Sequence, residues 1–98
     1  MVRSWLAATR AMKYTCPCCG YKTLEKPDCF DICPICFWED DNIQRENPDY
    51  EGGANTISLR QAQKNYQEFG AMERRFLTYV RRPSGEDEKD SEWRPLEG

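Results

Sequence analysis

Two C-P-x-C motifs constrain this chain more than any other feature of its sequence. Cys16 and Cys19 enclose two residues, Cys33 and Cys36 enclose two more, and 13 residues separate the pairs. A tight turn with this spacing aims both of its sulfur atoms at one point, so two such turns can supply the closed tetrahedron of a structural zinc site. The spacing therefore predicts that Cys16, Cys19, Cys33 and Cys36 bind one zinc ion.

The composition makes such a metal site important for folding. The 98 residues include six cysteines and no histidine, which excludes imidazole both as a metal ligand and as the usual general base. A chain of this length is near the size at which an apolar core alone is only marginally sufficient. A structural zinc site contributes about 10–16 kcal/mol of apparent binding free energy, against a typical net stability of about 5–15 kcal/mol. We therefore predict that the chain requires its metal to fold.

Three alternatives compete with zinc at these thiols. Iron can occupy the same sulfur tetrahedron, and "YTCPCCGY" and "CPIC" resemble rubredoxin turns, although that family separates its pairs by a longer insert. A redox-active C-x-x-C is disfavoured because the strand-helix-strand context of thioredoxin is missing. A disulfide framework requires secretion, for which the sequence has no signal.

The remaining two cysteines and the exits from the turns are less clearly specified. We interpret Cys18 and Cys29 as small, partly buried residues. The alternatives are a bridge or a reactive pair between them, or the replacement of a ligand such as Cys33 by Cys29.

Gly20 follows the first turn, where a left-handed residue lets the chain leave, whereas Phe37 occupies the equivalent position of the second turn. We therefore expect the second turn to end in a different conformation.

The chain divides into three predicted parts. Residues 1–12 lack capping signals and are interpreted as an N-terminal extension. Residues 13–83 form the cysteine-rich domain. Residues 84–98 form an acidic tail that contains few apolar residues and is predicted to be largely disordered, except that Trp93 is expected to fold back onto the domain.

Two helices are predicted after the cysteine motifs, at about 58–69 and 71–81. Ser58 and Gln61 form a capping box at the start of the first helix, and Gly70 is a suitable left-handed stop. The first apolar stripe consists of Leu59, Ala62, Tyr66 and Phe69. The second stripe consists of Met72, Phe76, Tyr79 and Val80. Both stripes are interpreted as faces that pack on the core.

The charged residues are arranged in blocks of opposite sign. Residues 37–57 carry one basic and six acidic side chains, whereas residues 58–82 carry six basic and two acidic ones. Glu39, Asp40 and Asp41 can gather a hard cation or receive a basic partner, but we expect a solvated acidic loop. Its expected ion-pair partners are Arg74, Arg75, Arg81 and Arg82. Internal neutralisation of this kind makes nucleic-acid binding through the arginines a disfavoured interpretation.

The sequence contains neither an apolar run of about 18 residues nor the apolar centre of a secretory signal peptide. We therefore expect no membrane contact and a cytoplasmic location, where reducing conditions make clustered cysteines metal ligands more often than disulfides.

Several stretches together resemble the bacterial cysteine-rich CPCC family. They are "YTCPCCGY", "CPICFWEDD", "PDYEGGANTISLRQAQKNY" and "FGA", with further agreement at "WRPL". The likeness covers about residues 13–83. It implies a small intracellular domain rich in cysteine, and it transfers no catalytic residues.

These observations lead to one expected fold and function. The fold is a small α+β, zinc-ribbon-like module with two C-P-x-C knuckles, short antiparallel strands and two C-terminal helices. We expect a non-enzymatic, zinc-stabilised adaptor that binds another protein with the face around Phe37, Trp38 and the acidic loop. The alternatives are an enzyme or redox protein that uses iron or free thiols, and a nucleic-acid binder.

Overall fold

The computed structural model describes residues 13–97, and the predicted extension at 1–12 lies outside the described residues. Two strands, β1 (Tyr14–Thr15) and β2 (Lys22–Leu24), precede helix α1 (Asn42–Glu46), helix α2 (Leu59–Phe69) and a 3-10 helix (Arg74–Phe76). The described part of the chain is thus a small α+β fold with a two-stranded antiparallel sheet. At this level the predicted fold class is confirmed.

Strands β1 and β2 form a hairpin whose connection is the first C-P-x-C turn. Tyr14 pairs with Leu24 and Thr15 pairs with Lys22, which leaves a bulge between the two pairs. The second turn is framed in the same way by a single antiparallel bridge between residues 32 and 39. Each cysteine pair therefore lies at the tip of a hairpin, although the second hairpin is reduced to one bridge.

Helix α2 is the element that the sequence predicted best. The Ser58 hydroxyl accepts a hydrogen bond from the N–H of Gln61 at 3.2 Å, and Gly70 ends the helix with a φ of +94°. The Gln61 side chain does not complete the capping box, because it donates to Asn65 Oδ1 at 2.9 Å. Leu59 and Ala62 face the core, as the apolar periodicity predicts.

The prediction of a helix at 71–81 is wrong, because the only helical part of that segment is a short 3-10 turn, Arg74–Phe76. The reason lies in the hydrogen bonds of the segment. The N–H of Met72 donates to the Cys36 carbonyl at 2.8 Å, and the N–H of Arg81 donates to the Pro34 carbonyl at 3.1 Å. Backbone amides that an α-helix would use internally are thus given to the second knuckle, and tertiary contacts override the helical periodicity.

Two of the three acidic residues directly after the second motif are buried, which corrects the expectation of a solvated loop. Asp40 is 1% exposed and Asp41 is 6% exposed. Asp41 is the N-cap of α1, an element that the sequence analysis missed, and its carboxylate accepts hydrogen bonds from Ile43 N at 2.8 Å and Gln44 N at 3.3 Å. Within residues 13–97, Glu39, Asp40 and Asp41 do not converge as a group of metal ligands.

Two buried amide side chains connect this loop to the segment before α2. The Gln44 amide group donates to the carbonyl oxygens of Tyr50, Asn55 and Ile57 at 3.0–3.1 Å. Asn55 in turn donates to Gln44 Oε1 at 2.9 Å and to the Glu39 carbonyl at 2.8 Å. Because every one of these buried polar groups has a partner, the network stabilises a loop that has little apolar area of its own.

The arginines of the basic segment have other partners than those predicted. The ion pairs are Arg60–Asp49, Arg75–Glu73 and Arg81–Asp87, with N···O distances of 2.7, 3.1 and 2.7 Å. Arg74 lies over the Phe69 ring at 4.4 Å. The predicted pairing with Glu39, Asp40 or Asp41 is therefore wrong, although Arg60–Asp49 does join the basic segment to the acidic one.

Residues 84–97 run along the cysteine-rich module. The N–H of Asp90 donates to the Gly20 carbonyl at 2.8 Å, and Trp93 Nε1 donates to the Pro17 carbonyl at 3.0 Å. The expected return of Trp93 onto the domain is thus confirmed. The prediction that most of this tail is disordered did not anticipate these bonds, and the predicted domain boundaries stay predictions.

The core surrounds the cysteine pairs. Leu24, Ile35, Trp38, Leu59, Ala62 and Met72 are buried there together with five of the cysteines. None of the helices in residues 13–97 has the length and apolar character needed to cross a membrane.

Candidate metal centre

The two hairpin tips bring four sulfur atoms to one point. The Sγ atoms of Cys16, Cys19, Cys33 and Cys36 all lie within 4.8 Å of one another, and each of these residues is at most 1% exposed. Cys16 Sγ lies 3.6 Å from Cys36 Sγ, and Cys19 Sγ lies 3.7 Å from Cys33 Sγ. A zinc–sulfur distance of about 2.3 Å requires sulfur atoms about 3.8 Å apart in a regular tetrahedron. The arrangement can therefore hold one metal ion.

The same backbone hydrogen bonds shape both knuckles. In the first, Cys16 N donates to the carbonyl five residues later at 2.9 Å, and the Cys16 carbonyl accepts from Gly20 N at 2.9 Å. In the second, Cys33 N donates to the Trp38 carbonyl at 2.9 Å, and the Cys33 carbonyl accepts from Phe37 N at 2.8 Å. The two motifs thus build equivalent turns from different residues.

The exit from the second knuckle is therefore not different, and that prediction is wrong. Phe37 has a φ of +74°, close to the +84° of Gly20 at the matching position. A left-handed conformation costs a residue with a Cβ roughly 1–2 kcal/mol. The Phe37 ring lies 4.5 Å from the Phe76 ring and 5.5 Å from the Tyr79 ring, centroid to centroid, and these contacts offset the backbone cost.

The electrostatics of the cluster show what a cation would supply. Hydrogen bonds from Cys16, Cys19 and Cys36 hold the pKa of Cys33 well below its usual range. Burial raises the pKa of Cys16 and of Cys36 well above the usual value, since a second thiolate in this dry space is disfavoured. A divalent ion at the centre would provide the positive charge that lets all four thiols ionise.

Two hydrogen bonds from outside the cysteine set orient Cys33. Thr23 Oγ1 donates to Cys33 Sγ at 3.0 Å, and Ile35 N donates to the same sulfur at 3.4 Å. The Ile35 bond follows from the C-x-x-C turn, whose amides point toward the first sulfur. The contribution of Thr23 was missed, because no sequence signal places β2 beside the second knuckle. Such bonds around a thiolate stabilise its charge.

The other two cysteines lie outside the sulfur cluster. All six cysteines of the chain fall within the described residues and all are free thiols. Cys18 is fully buried and Cys29 is exposed, so neither is the partly buried residue that the sequence analysis expected. Cys33 belongs to the group of four cysteines that could hold a metal ion, and Cys29 lies outside that group.

The face predicted to bind a partner is only partly at the surface. Trp38 is fully buried in the core beside the cysteines, so its side chain is not part of an exposed binding face. Asp40 and Asp41 are buried as well. Phe37 is half-buried, and its aromatic neighbour Tyr79 is 68% exposed. The apolar surface near the second knuckle is thus formed by Phe37 and the segment that stacks on it.

The fold and the cluster define a small cysteine-rich protein in which four buried thiols can hold a metal ion. The family described as Cysteine-rich CPCC has a sequence model that matches residues 14–87. The chain therefore belongs to this family, as the resemblance implied. Among the curated proteins, none matches this chain.

Proposed function

We propose that the chain is a zinc-stabilised, zinc-ribbon-like module that binds another protein and has no catalytic role for the metal. The observation that carries this proposal is the burial of all four sulfur atoms, each in a residue at most 1% exposed. Catalytic zinc sites keep one coordination position open for water or substrate, whereas structural sites are closed by four protein ligands. Four converging thiols that lack access to solvent fit the structural class.

Zinc is the metal that we expect at this centre. Four thiolates suit zinc and iron alike, so the choice is tested by native mass spectrometry of protein purified in reductant without chelator. We expect a colourless protein whose mass exceeds that of the chain by one zinc ion. A red protein with one iron would support the rubredoxin-like alternative and overturn this part of the proposal. Six free thiols are best maintained in a reducing compartment, so we place the protein in the cytoplasm.

The binding role rests on the apolar surface beside the second knuckle. Phe37, Phe76 and Tyr79 form one aromatic cluster, and Tyr79 projects most of its ring into solvent. Exposed aromatic side chains on a rigid base are typical anchors in protein interfaces. The metal would supply that rigid base, because the segment that contains the 3-10 helix is hydrogen-bonded to the second knuckle on both sides of that helix, through the N–H groups of Met72 and Arg81.

A cross-linking experiment tests the binding role directly. A photoreactive benzophenone at position 79 should trap discrete protein adducts in cells, and the same group at Tyr50, also about half-exposed, is the matched control. We expect adducts from position 79 that disappear when the zinc is removed. Equal adduct patterns from both positions would overturn the assignment of the binding surface.

A further inference from the structure

A concave groove of the described chain lies beside the segment that contains Tyr79. Its volume is about 660 Å³, and it lies between the C-terminal turn of α2 and the segment 77–83. The apolar side chains that line it are Tyr66, Phe69, Leu77, Val80 and Pro83. Leu77 is 41% exposed in this position, so apolar area remains open to a ligand.

Two arginines at the groove have no ion-pair partner within residues 13–97, and they outnumber Glu68, the single acidic residue of its lining. Arg82 lines the groove, and Arg74 lies over the Phe69 ring that also lines it. Within residues 13–97 neither Arg74 nor Arg82 forms an ion pair, whereas Arg60, Arg75 and Arg81 do. A ligand with carboxylates can therefore pair with cations that are already at the surface and need no internal bond to be broken.

The same features fit a peptide better than a nucleic acid. Nucleic acids are bound by continuous basic surfaces that contact several phosphates, and here three of the six cations of residues 58–82 are already paired. Helix α2 ends in its wall, and a helix C-terminus leaves carbonyl groups that accept hydrogen bonds from peptide N–H groups.

We propose that this groove binds a peptide segment of a partner protein in which an apolar anchor residue lies next to one or more carboxylates. The anchor packs against Leu77 and Val80, and the carboxylates pair with Arg82 and Arg74. The proposal rests on the proposed protein-binding function, which it deepens by naming the chemistry of the partner.

The test uses a random dodecapeptide display library selected against the full chain loaded with zinc. We expect enriched peptides to contain Leu, Phe or Trp within a few positions of Asp or Glu. Binding of a synthetic enriched peptide should weaken at least tenfold with Arg82→Glu and with Leu77→Asp. The matched controls, Lys26→Glu and Tyr50→Asp, change exposed residues outside the groove and should alter binding less than twofold. Unchanged zinc stoichiometry will show that each variant is folded.

The other outcomes separate the two proposals. Enriched peptides whose binding ignores both groove variants would overturn the groove assignment and leave the protein-binding function standing. No enriched peptide would overturn both. A single-stranded 20-nucleotide DNA that binds at 50 mM salt and loses affinity with Arg82→Glu would assign the arginines to nucleic acid, and the peptide proposal would be wrong.

Discussion

The two C-P-x-C knuckles have the same pattern of backbone hydrogen bonds, but different side chains pack against them. We call the side chains that pack against a knuckle its cover. The first ends at Gly20, and the indole of Trp93 lies directly against that glycine. The second ends at Phe37, whose own side chain covers the turn by stacking on Phe76 and Tyr79. The turn geometry is thus fixed by the motif, whereas the cover comes from whichever part of the chain is available.

The two knuckles therefore depend on different parts of the chain for their covers. The cover of the first knuckle comes from a residue 76 positions away from Pro17, to whose carbonyl Trp93 donates its hydrogen bond. The cover of the second knuckle comes from within the turn, at the cost of a left-handed Phe37. We therefore expect the two knuckles to respond equally to loss of the metal and unequally to changes in their covers.

The largest loss of stability is expected from the removal of a metal ligand. This loss should be the same in the two knuckles. Cys19→Ser and Cys36→Ser should each abolish cooperative folding, because a structural zinc site contributes about 10–16 kcal/mol. Thermal unfolding followed by circular dichroism, together with zinc stoichiometry, measures the loss. Cys29→Ser is the control, since Cys29 is exposed and outside the cluster. Damage from Cys29→Ser equal to that from the ligand variants would show that the ligands are wrongly assigned.

The second prediction measures how much the contact between Trp93 and the first knuckle contributes to stability. A Cβ at Gly20 would lie 2.5 Å from the Trp93 ring, and the backbone there has a φ of +84°. Gly20→Ala should cost about 2–4 kcal/mol from the left-handed backbone and the forced repacking together. Gly52→Ala is a matched control, because Gly52 has the same φ of +84° and nothing within 4 Å of the added atom.

Urea unfolding of both variants in the zinc-loaded state gives the two free energies. The difference between them measures the contact with Trp93 alone, since the backbone cost is common to both. Equal losses of free energy would show that Trp93 does not pack closely against the first knuckle.

The knuckles also show what could be read from the sequence and why. The spacing of the cysteines predicted that Cys16, Cys19, Cys33 and Cys36 would meet, because the turn of each motif is determined by its own residues. The metal itself stays a prediction. Helix α2 was predictable for the same local reason, since Ser58 satisfies an orphan amide at its start.

Most of the errors involve partners that are distant in sequence, although the missed helix α1 has a local cap at Asp41. The helix predicted at 71–81 is replaced by bonds from Met72 and Arg81 to carbonyls of the second knuckle, which no local pattern encodes. Asp41 looked like a solvated acid, yet it is buried as a helix cap that also accepts from Ala54 N at 2.9 Å. Acidic and turn-forming residues have the same local appearance in both environments, so their burial could not be inferred from sequence.

The third prediction concerns the cover of the second knuckle. Phe37→Ala keeps the left-handed backbone and removes the ring that contacts Phe76 and Tyr79, so we expect a loss of about 2 kcal/mol. Phe30→Ala is the matched control, because Phe30 also has a positive φ, +60°, and is 48% exposed. It should cost less than about 0.5 kcal/mol. Similar losses in urea unfolding would mean that the aromatic stack does not stabilise the second knuckle.

A smaller effect is expected from one hydrogen bond of the first cover. Trp93→Phe keeps an aromatic ring over Gly20 and removes the bond from Nε1 to the Pro17 carbonyl, which should cost about 0.5–1.5 kcal/mol. The Pro17 carbonyl still accepts from Gln63 Nε2 at 2.9 Å, which limits the loss. Chemical denaturation of the zinc-loaded variant gives the value. A loss as large as that of Trp93→Ala would show that the indole N–H, and not the ring, holds the tail.

The smallest effect concerns the contact at the start of the tail. Hydrogen bonds from Arg81 and from Ser84 N hold the pKa of Asp87 well below its usual range. A carboxyl with a lowered native pKa stabilises the fold fully above its unfolded pKa of about 4, and this contribution is lost as the pH falls through the native value.

Asp87→Asn should therefore cost up to about 1 kcal/mol at pH 7, where the charge is present, because the pair is near the surface. Glu73→Gln, which removes the acid of the Arg75 pair, is the control, because neither of these side chains is hydrogen-bonded to the tail. If Asp87→Asn lowers the protection of the Asp90 amide against hydrogen exchange and Glu73→Gln does not, the tail is held at both of its ends, by Asp87 near the second knuckle and by Trp93 on the first. Unchanged protection would assign the cover of the first knuckle to Trp93 and its neighbours alone.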